Sequence, residues 1–292
     1  MKCDNPRLVI RAGQKTKKGK VTNEDIEVRC GYCYPCRLTR LRQWIFRLRL
    51  EERESKSGYF VTLTYSPKTV PISNNGYLTL RKKDIQNYFK ILRNCYRYRD
   101  VNPATGKKKW YYDKVPDIKY YAVGEYGTKR TRPHYHAIIF NADEDKIVQA
   151  WRQNFESTGD VMLGTVTQQS VAYTLTYIIT KSGIDRSNKI DDREKEFSLM
   201  SKGIGLSYIK DVRTQQYFKQ DINKMHIQLD DKTKIGLPRY YRDKLYTETE
   251  IKKRNKWIKE VFIPDLETKD RRSEDQKRNQ KIVNSKKIKQ NK

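Results

Sequence analysis

Two short runs constrain the fold more than anything else in the chain: residues 118–124 (Ile-Lys-Tyr-Tyr-Ala-Val-Gly) and residues 134–140 (His-Tyr-His-Ala-Ile-Ile-Phe). Both are rich in aromatic and β-branched side chains, which suit a pleated, half-buried surface. The connection between them, Tyr126 to Pro133, is short and basic, with Gly127, Lys129, Arg130 and Arg132. Strands joined this closely pair antiparallel, because parallel partners need a crossover of about a dozen residues or more. A further strand is expected over Tyr59–Tyr65, which stops at Ser66-Pro67, and a short one near residues 160–167.

Between the strands the apolar period changes from two to that of a helix. Leu38, Leu41, Ile45 and Leu48 mark a helix over roughly residues 37–55, with Arg37, Arg40, Arg42, Arg47 and Arg49 interspersed. After a turn at Asn74-Asn75-Gly76, a second basic helix carries Ile85, Tyr88, Phe89 and Leu92. Ile147, Trp151 and Phe155 mark a third, and a fourth is expected from Ser170 as N-cap to Gly183 just past its end. The irregular mixture predicts an α+β fold around an antiparallel sheet. From residue 184 to 265 the pattern weakens and assigns nothing.

Hydrophobic residues make up 36% of the 292, charged residues 34%, and 63 Lys+Arg against 35 Asp+Glu leave a formal charge of +28. That excess predicts a polyanionic partner, nucleic acid above all. The 21 tyrosines suit single strands, whose bases stack on aromatic rings. A binder without chemistry would have the same composition. No apolar stretch is long enough for a membrane span, and Met1–Pro6 lacks the apolar core of a signal peptide, so a reducing cytoplasm is expected. The five cysteines then read as thiols or metal ligands rather than disulfides. Residues 268–292, with ten basic and three acidic side chains, predict a disordered tail. The expected division is 1–57 (cysteine-rich loop and arginine-rich helix), 58–245 (main domain) and 246–292 (basic extension).

Three constellations can carry chemistry. His134 and His136, at i and i+2 of a strand, point to one face. Glu125, at the end of the preceding strand, can join them across a hairpin. Two imidazoles and a carboxylate hold a divalent ion and leave positions open for a phosphate. The plainer alternative is two surface histidines and a solvated carboxylate. Lys129, Arg130 and Arg132 sit where a DNA backbone would need neutralising. Tyr173, Tyr177 and Lys181 share one helical stripe, opposite Val171, Leu175 and Ile178, so the tyrosines are not needed for packing. A tyrosine beside a metal-bound phosphate can attack it as a phenolate, although tyrosine is abundant enough here to recur by chance. Cys30, Cys33 and Cys36, with Cys3 upstream, have the number and spacing of a structural zinc loop. Cys95 reads as a small buried apolar residue.

His134-Tyr135-His136 resembles the paired-histidine (HUH) signature of rolling-circle initiators and relaxases, with tyrosine in the usually hydrophobic middle position. Phe60–Thr64 resembles that superfamily's first strand motif, and Tyr173…Tyr177 its nucleophile motif, in the same order along the chain. Gly124-Glu125-Tyr126-Gly127, Arg132–His136, the Cys30…Cys36 loop, Phe197–Gly205 and Leu237–Tyr241 are together most similar to the replication initiators of gokushoviruses, single-stranded-DNA phages among the microviruses. The similarity extends over about residues 1–245. Relatives often carry a lysine three residues after the second tyrosine, whereas Lys181 stands four after Tyr177.

The resemblance implies a sheet of about five antiparallel strands, with the histidines on a central one. It implies Mg2+ or Mn2+ on His134, His136 and Glu125, and attack by Tyr173 or Tyr177 on the scissile phosphate of single-stranded or origin DNA. The products would be a 5′-phosphotyrosine and a free 3′-OH, with the other tyrosine cutting the regenerated origin and Lys181 stabilising charge. Host helicase and polymerase, in the bacterial cytoplasm, would be partners. A relaxase or transposase of the same superfamily would share the chemistry, and a purely binding protein would need none of it.

Overall fold

The computed structural model describes residues 3–11, 24–101, 104–106, 108–112, 116–128, 130–153, 156–176, 190–229, 233–262 and 274–290. In chain order the elements are β1 (Arg7–Arg11), β2 (Glu24–Val28), α1 (Tyr34–Glu54), β3 (Gly58–Thr64), α2 (Lys82–Asn94), β4 (Arg97–Val101), β5 (Lys108–Tyr112), β6 (Lys119–Tyr126), β7 (Pro133–Phe140) and α3 (Glu144–Ala150). There follow β8 (Arg152–Gln153), β9 (Glu156–Ser157), β10 (Val161–Thr165), α4 (Gln168–Thr176), β11 (Phe197–Met200), α5 (Ser207–Lys210), α6 (Val212–Gln220), β12 (His226–Gln228), β13 (Lys234–Gly236), α7 (Arg239–Leu245), α8 (Glu248–Trp257) and a last helix, α9 (Glu274–Gln290).

The chain divides into two compact units, one from Ile45–Tyr177 and Ser182–Tyr208, the other drawn chiefly from Met1–Trp44 and Ile209–Lys292. The expected boundaries were 57/58 and 245/246; the cysteine loop and the later helices fall in one unit, and α1 is divided between the two at Trp44/Ile45.

The first unit is built on a five-stranded antiparallel sheet in the order β10-β3-β7-β6-β11, with helices against it. This is the expected α+β architecture, and β7 with its two histidines is the middle strand. The alternation of side chains divides the sheet cleanly. Val61, Leu63, Ala122, Tyr135, Ala137 and Ile139 face a core completed by Ile85, Tyr88, Phe89 and Leu92 of α2 and Ile147 of α3. Each valine, leucine, isoleucine or phenylalanine among them contributes roughly 1.5–3 kcal/mol when fully buried. The other face, with Thr62, Glu125, His134 and His136 in register, holds the polar groups.

Tyr135 is fully buried on the core face, and its hydroxyl has partners there. It lies 2.6 Å from the Tyr65 hydroxyl, donates to the Arg81 carbonyl at 2.9 Å and accepts from the Arg81 N–H at 3.2 Å. Tyr65 in turn donates to Asp84 at 2.8 Å. A tyrosine is therefore tolerated between the histidines because the N-terminus of α2 satisfies its polar end. The arginine-rich helix is partly structural as well. Arg47 is buried and donates to the Ile204 carbonyl at 3.1 Å, and buried Glu51 receives Lys119 and the Gly205 N–H, each at 2.8 Å.

Three local expectations are corrected. The third helix ends at Ala150, and Trp151 caps it while its indole donates to the Thr64 carbonyl at 2.9 Å; Phe155 lies outside the described residues. The fourth helix starts earlier than expected: Thr167 and Ser170 exchange side-chain bonds with each other's N–H, at 3.1 and 2.8 Å, which makes Thr167 the cap. Its expected end at Gly183 is outside the described residues. Residues 274–290, expected to be disordered, are helical, with Glu274 and Asp275 in the first turn and a Lys277–Glu274 pair at 2.9 Å. Good helix formers and that charge order supply local stability which a count of apolar residues does not register.

The second unit holds the β1–β2 and β12–β13 hairpins and the later helices. Gln43 donates to the Gly236 carbonyl at 3.0 Å, α8 opens with a Thr247/Glu250 capping box, and Asn284 of α9 donates to Asp4 at 3.3 Å. Among the described residues no helix is long and apolar enough to cross a membrane.

Candidate metal centres and nucleophile

The register of the central hairpin assembles the first centre. Glu125 lies opposite His134 and Val123 opposite His136, so the alternation puts the carboxylate and both imidazoles on one face. Glu125 Oε1 is 3.1 Å from His136 Nε2 and 3.5 Å from His134 Nε2. The Nδ1 atoms turn the other way, His134 to the Arg132 carbonyl at 3.1 Å and His136 to Thr62 Oγ1 at 2.9 Å. A carbonyl only accepts, so His134 Nδ1 carries a proton and its Nε2 is left for a cation or a second proton.

Three ligand atoms within 4.8 Å of one another can share one ion. Octahedral coordination at about 2.1 Å separates neighbouring ligands by about 3.0 Å, close to the spacing of the carboxylate oxygen from each imidazole. The donor set therefore fits a divalent cation with open positions. The ionisation pattern agrees. Burial would lift the Glu125 carboxyl, but the two histidines overcome it and hold it at about 2. Burial would depress His134, but its bonds to Glu125 and the Arg132 carbonyl raise it above the usual histidine range.

Tyr173 stands over this centre. Val171 and Leu175 of α4 are buried, while Tyr173 remains 54% exposed, its hydroxyl 3.5 Å from His136 Nε2. Its phenol is pushed up by burial and by the Glu125 charge. The Phe60 ring stacks on His136 with centroids 5.5 Å apart and meets Tyr173 edge-on at 6.2 Å. Tyr177, Lys181 and Lys129 lie outside the described residues. Arg130 is exposed on the hairpin loop, and Arg132 donates to the Tyr65 carbonyl at 2.6 Å. The sequence reading placed Phe60 and Thr62 in a strand motif but gave them no part in the site. Their signal was the alternation Phe60-Val61-Thr62, which puts both on the histidine face.

The second centre brings together Cys3, Cys30, Cys33 and Cys36. Cys3 Sγ is 3.5 Å from Cys30, 3.7 Å from Cys33 and 3.5 Å from Cys36, and Cys30 is 4.0 Å from Cys36. Four sulfurs at about 2.3 Å around a tetrahedral ion stand about 3.8 Å apart. Their acidities split as in a crowded set. Against burial, the Cys33 and Tyr32 N–H groups and neighbouring thiols bring Cys30 down to about 6, whereas burial takes Cys33 up to about 12. Cys95 is half-buried against the core, as expected of a small apolar residue.

Residues 58–182 match the model of a replication-associated protein family, described under the name ORF2. Over 90% of its length the chain is 29% identical to the replication-associated protein ORF2 of Spiroplasma virus 4, covering 88% of that protein. It is 25% identical to the replication-associated protein VP4 of Bdellovibrio phage phiMH2K, over 73% of this chain and 66% of the other. With the replication-associated protein ORF4 of Chlamydia phage 1 it shares 24% identity, over 74% of this chain and 53% of the other. No solved structure matches the chain. The matched segment spans the histidine hairpin, Glu125 and the helix bearing Tyr173, and through it the chain is similar to phage replication-associated proteins.

Proposed function

We propose that this chain is a metal-dependent DNA nicking and joining enzyme that starts and ends rolling-circle replication. The observation that carries the reading is the Tyr173 hydroxyl 3.5 Å from His136 Nε2, beside a carboxylate and a second imidazole aimed at one point. Mg2+ or Mn2+ bound by His134, His136 and Glu125 would draw charge from a phosphate oxygen and leave the phosphorus open to attack. The Tyr173 oxygen forms a bond to phosphorus as the bond to the 3′ oxygen breaks. The 3′ oxygen leaves with the electron pair and takes up a proton, and the 5′ phosphate remains esterified to tyrosine. Burial and the Glu125 charge together favour the protonated phenol until positive charge enters the site. Thr62 and the Arg132 carbonyl fix the ring orientations of the two histidines.

On the family pattern Tyr177 is the second nucleophile and Lys181 a charge stabiliser. Lys129 and Arg130 neutralise the DNA backbone at the loop, and Arg132 also braces Tyr65. The four cysteines hold one structural Zn2+, supported by sulfur spacings close to those of a tetrahedral site. Host helicase and polymerase, in the bacterial cytoplasm, would complete replication on the 3′-OH.

The test is a denaturing gel of the protein with a labelled single-stranded origin oligonucleotide and Mn2+. A covalent adduct that disappears in the Tyr173→Phe, Tyr177→Phe double variant is the expected result. DNA retention without any adduct would leave a binding protein and overturn the enzyme.

A further inference from the structure

The cysteine cluster does more than fasten a loop. Tyr32, between Cys30 and Cys33, is 43% exposed. Gly31 beside it adopts φ +78°, a left-handed conformation that turns the loop sharply at this point. The Arg7 guanidinium from β1 lies 4.8 Å from the centroid of the Tyr32 ring. Arg37, one turn into α1, donates to the Tyr32 carbonyl at 2.8 Å. Next to it, Lys287 of α9 approaches the Tyr34 ring at 5.7 Å. Cations and aromatic rings thus alternate around a loop held from both sides by thiols, within one compact unit.

We propose that this loop presents Tyr32 as a stacking platform for an unpaired base of single-stranded DNA, with Arg7 and Arg37 at the neighbouring phosphates. A partly exposed ring with a guanidinium close to it offers a base both stacking and charge. A loop fixed by sulfur ligands loses little conformational freedom on binding, which favours affinity. Duplex DNA keeps its bases stacked on one another, so the platform selects single strands. The inference rests on the reading of the chain as a DNA-handling protein and adds a contact apart from the nicking residues.

The test compares binding of the full-length protein to single-stranded and duplex oligonucleotides by fluorescence anisotropy. Tyr32→Ala is expected to weaken single-strand binding about five-fold or more, with little change on duplex. Tyr32→Phe should bind as the wild type, and zinc content should be unaltered in both. Arg7→Gln, which leaves the loop sequence intact, should weaken single-strand binding and flatten its salt dependence. Tyr32→Ala binding single strands like the wild type, or losing equally on both forms, overturns the proposal. Adduct formation is read separately, so a chain that binds through Tyr32 yet forms no adduct overturns the nicking reading and supports this one.

Discussion

The ring of Phe197 occupies the place where a side chain on Gly124 would stand: a Cβ there would come within 3.0 Å of the Phe197 Cζ and 3.2 Å of Leu80. The two residues are direct partners across the β6–β11 ladder. A glycine one residue before the Glu125 carboxylate is therefore a packing requirement of the sheet. Gly124→Ala is expected to cost about 1–3 kcal/mol of stability by overpacking, measured by urea denaturation. The Gly124→Ala, Phe197→Leu pair should recover part of it. An unchanged midpoint for the single variant would refute the packing argument.

His136 and Thr62 give the most direct test of the first metal centre. His136→Ala should abolish adduct formation while most DNA affinity persists, because the formal charge of +28 binds phosphate independently. EDTA should have the same effect on the unaltered protein. Thr62→Val removes only the partner of His136 Nδ1 and should raise the Mn2+ requirement by roughly 10–100-fold, with cleavage restored at high Mn2+. Full cleavage by His136→Ala, or in excess chelator, would remove the metal mechanism.

Proton and metal compete for the same atoms, which sets a pH dependence of definite sign. His134 has its pKa raised in the metal-free fold, so its pairing stabilises below its unfolded value of about 6.5 and is lost as pH rises through the folded one. Glu125, held at about 2, contributes above its unfolded value of about 4.3 and loses that contribution as pH falls towards 2. The metal-free protein should thus gain most from this pair between about pH 4.3 and 6.5. Stabilisation by Mn2+ should run the opposite way and grow as pH rises from below the unfolded histidine value of about 6.5 to well above it and His134 gives up its proton. Melting temperatures with and without Mn2+ below and above that value decide it. A Mn2+ effect independent of pH would mean the ion binds elsewhere.

The sulfur cluster should carry one zinc per chain, detectable by elemental analysis of protein purified without chelator. Cys33→Ser should lose it, and with it the protection of the cysteine loop and the first turn of α1 against proteolysis. Zinc well below one equivalent in the unaltered protein would favour four reduced thiols.

How far the sequence could be read depended on distance along the chain. The histidine face was legible because i and i+2 of a strand must share a side, and the hairpin partner Glu125 lay only nine residues away. The cysteines were legible by number and spacing. What escaped reading depends on remote partners. The Glu194 carboxylate caps the N-terminus of α2 by accepting from the Lys82 N–H at 2.9 Å, and the Tyr126 hydroxyl donates to the Glu194 carbonyl at 2.7 Å. Neither contact has a local signature. Sequence alone points to Ser170 as the cap, and only the reciprocal bonds between Thr167 and Ser170 show that Thr167 begins the helix.

The place of β7 in the middle of the sheet has a bearing on how the protein fails. Local opening begins at outer strands, which among the described residues are β10 and β11, while a strand bonded on both sides exchanges its amide hydrogens chiefly when the sheet comes apart. The histidines therefore ride on one of the three inner strands, where exchange is expected to be slow. Fraying at either margin leaves their spacing untouched, so warming the protein should leave the metal centre assembled until the sheet itself melts.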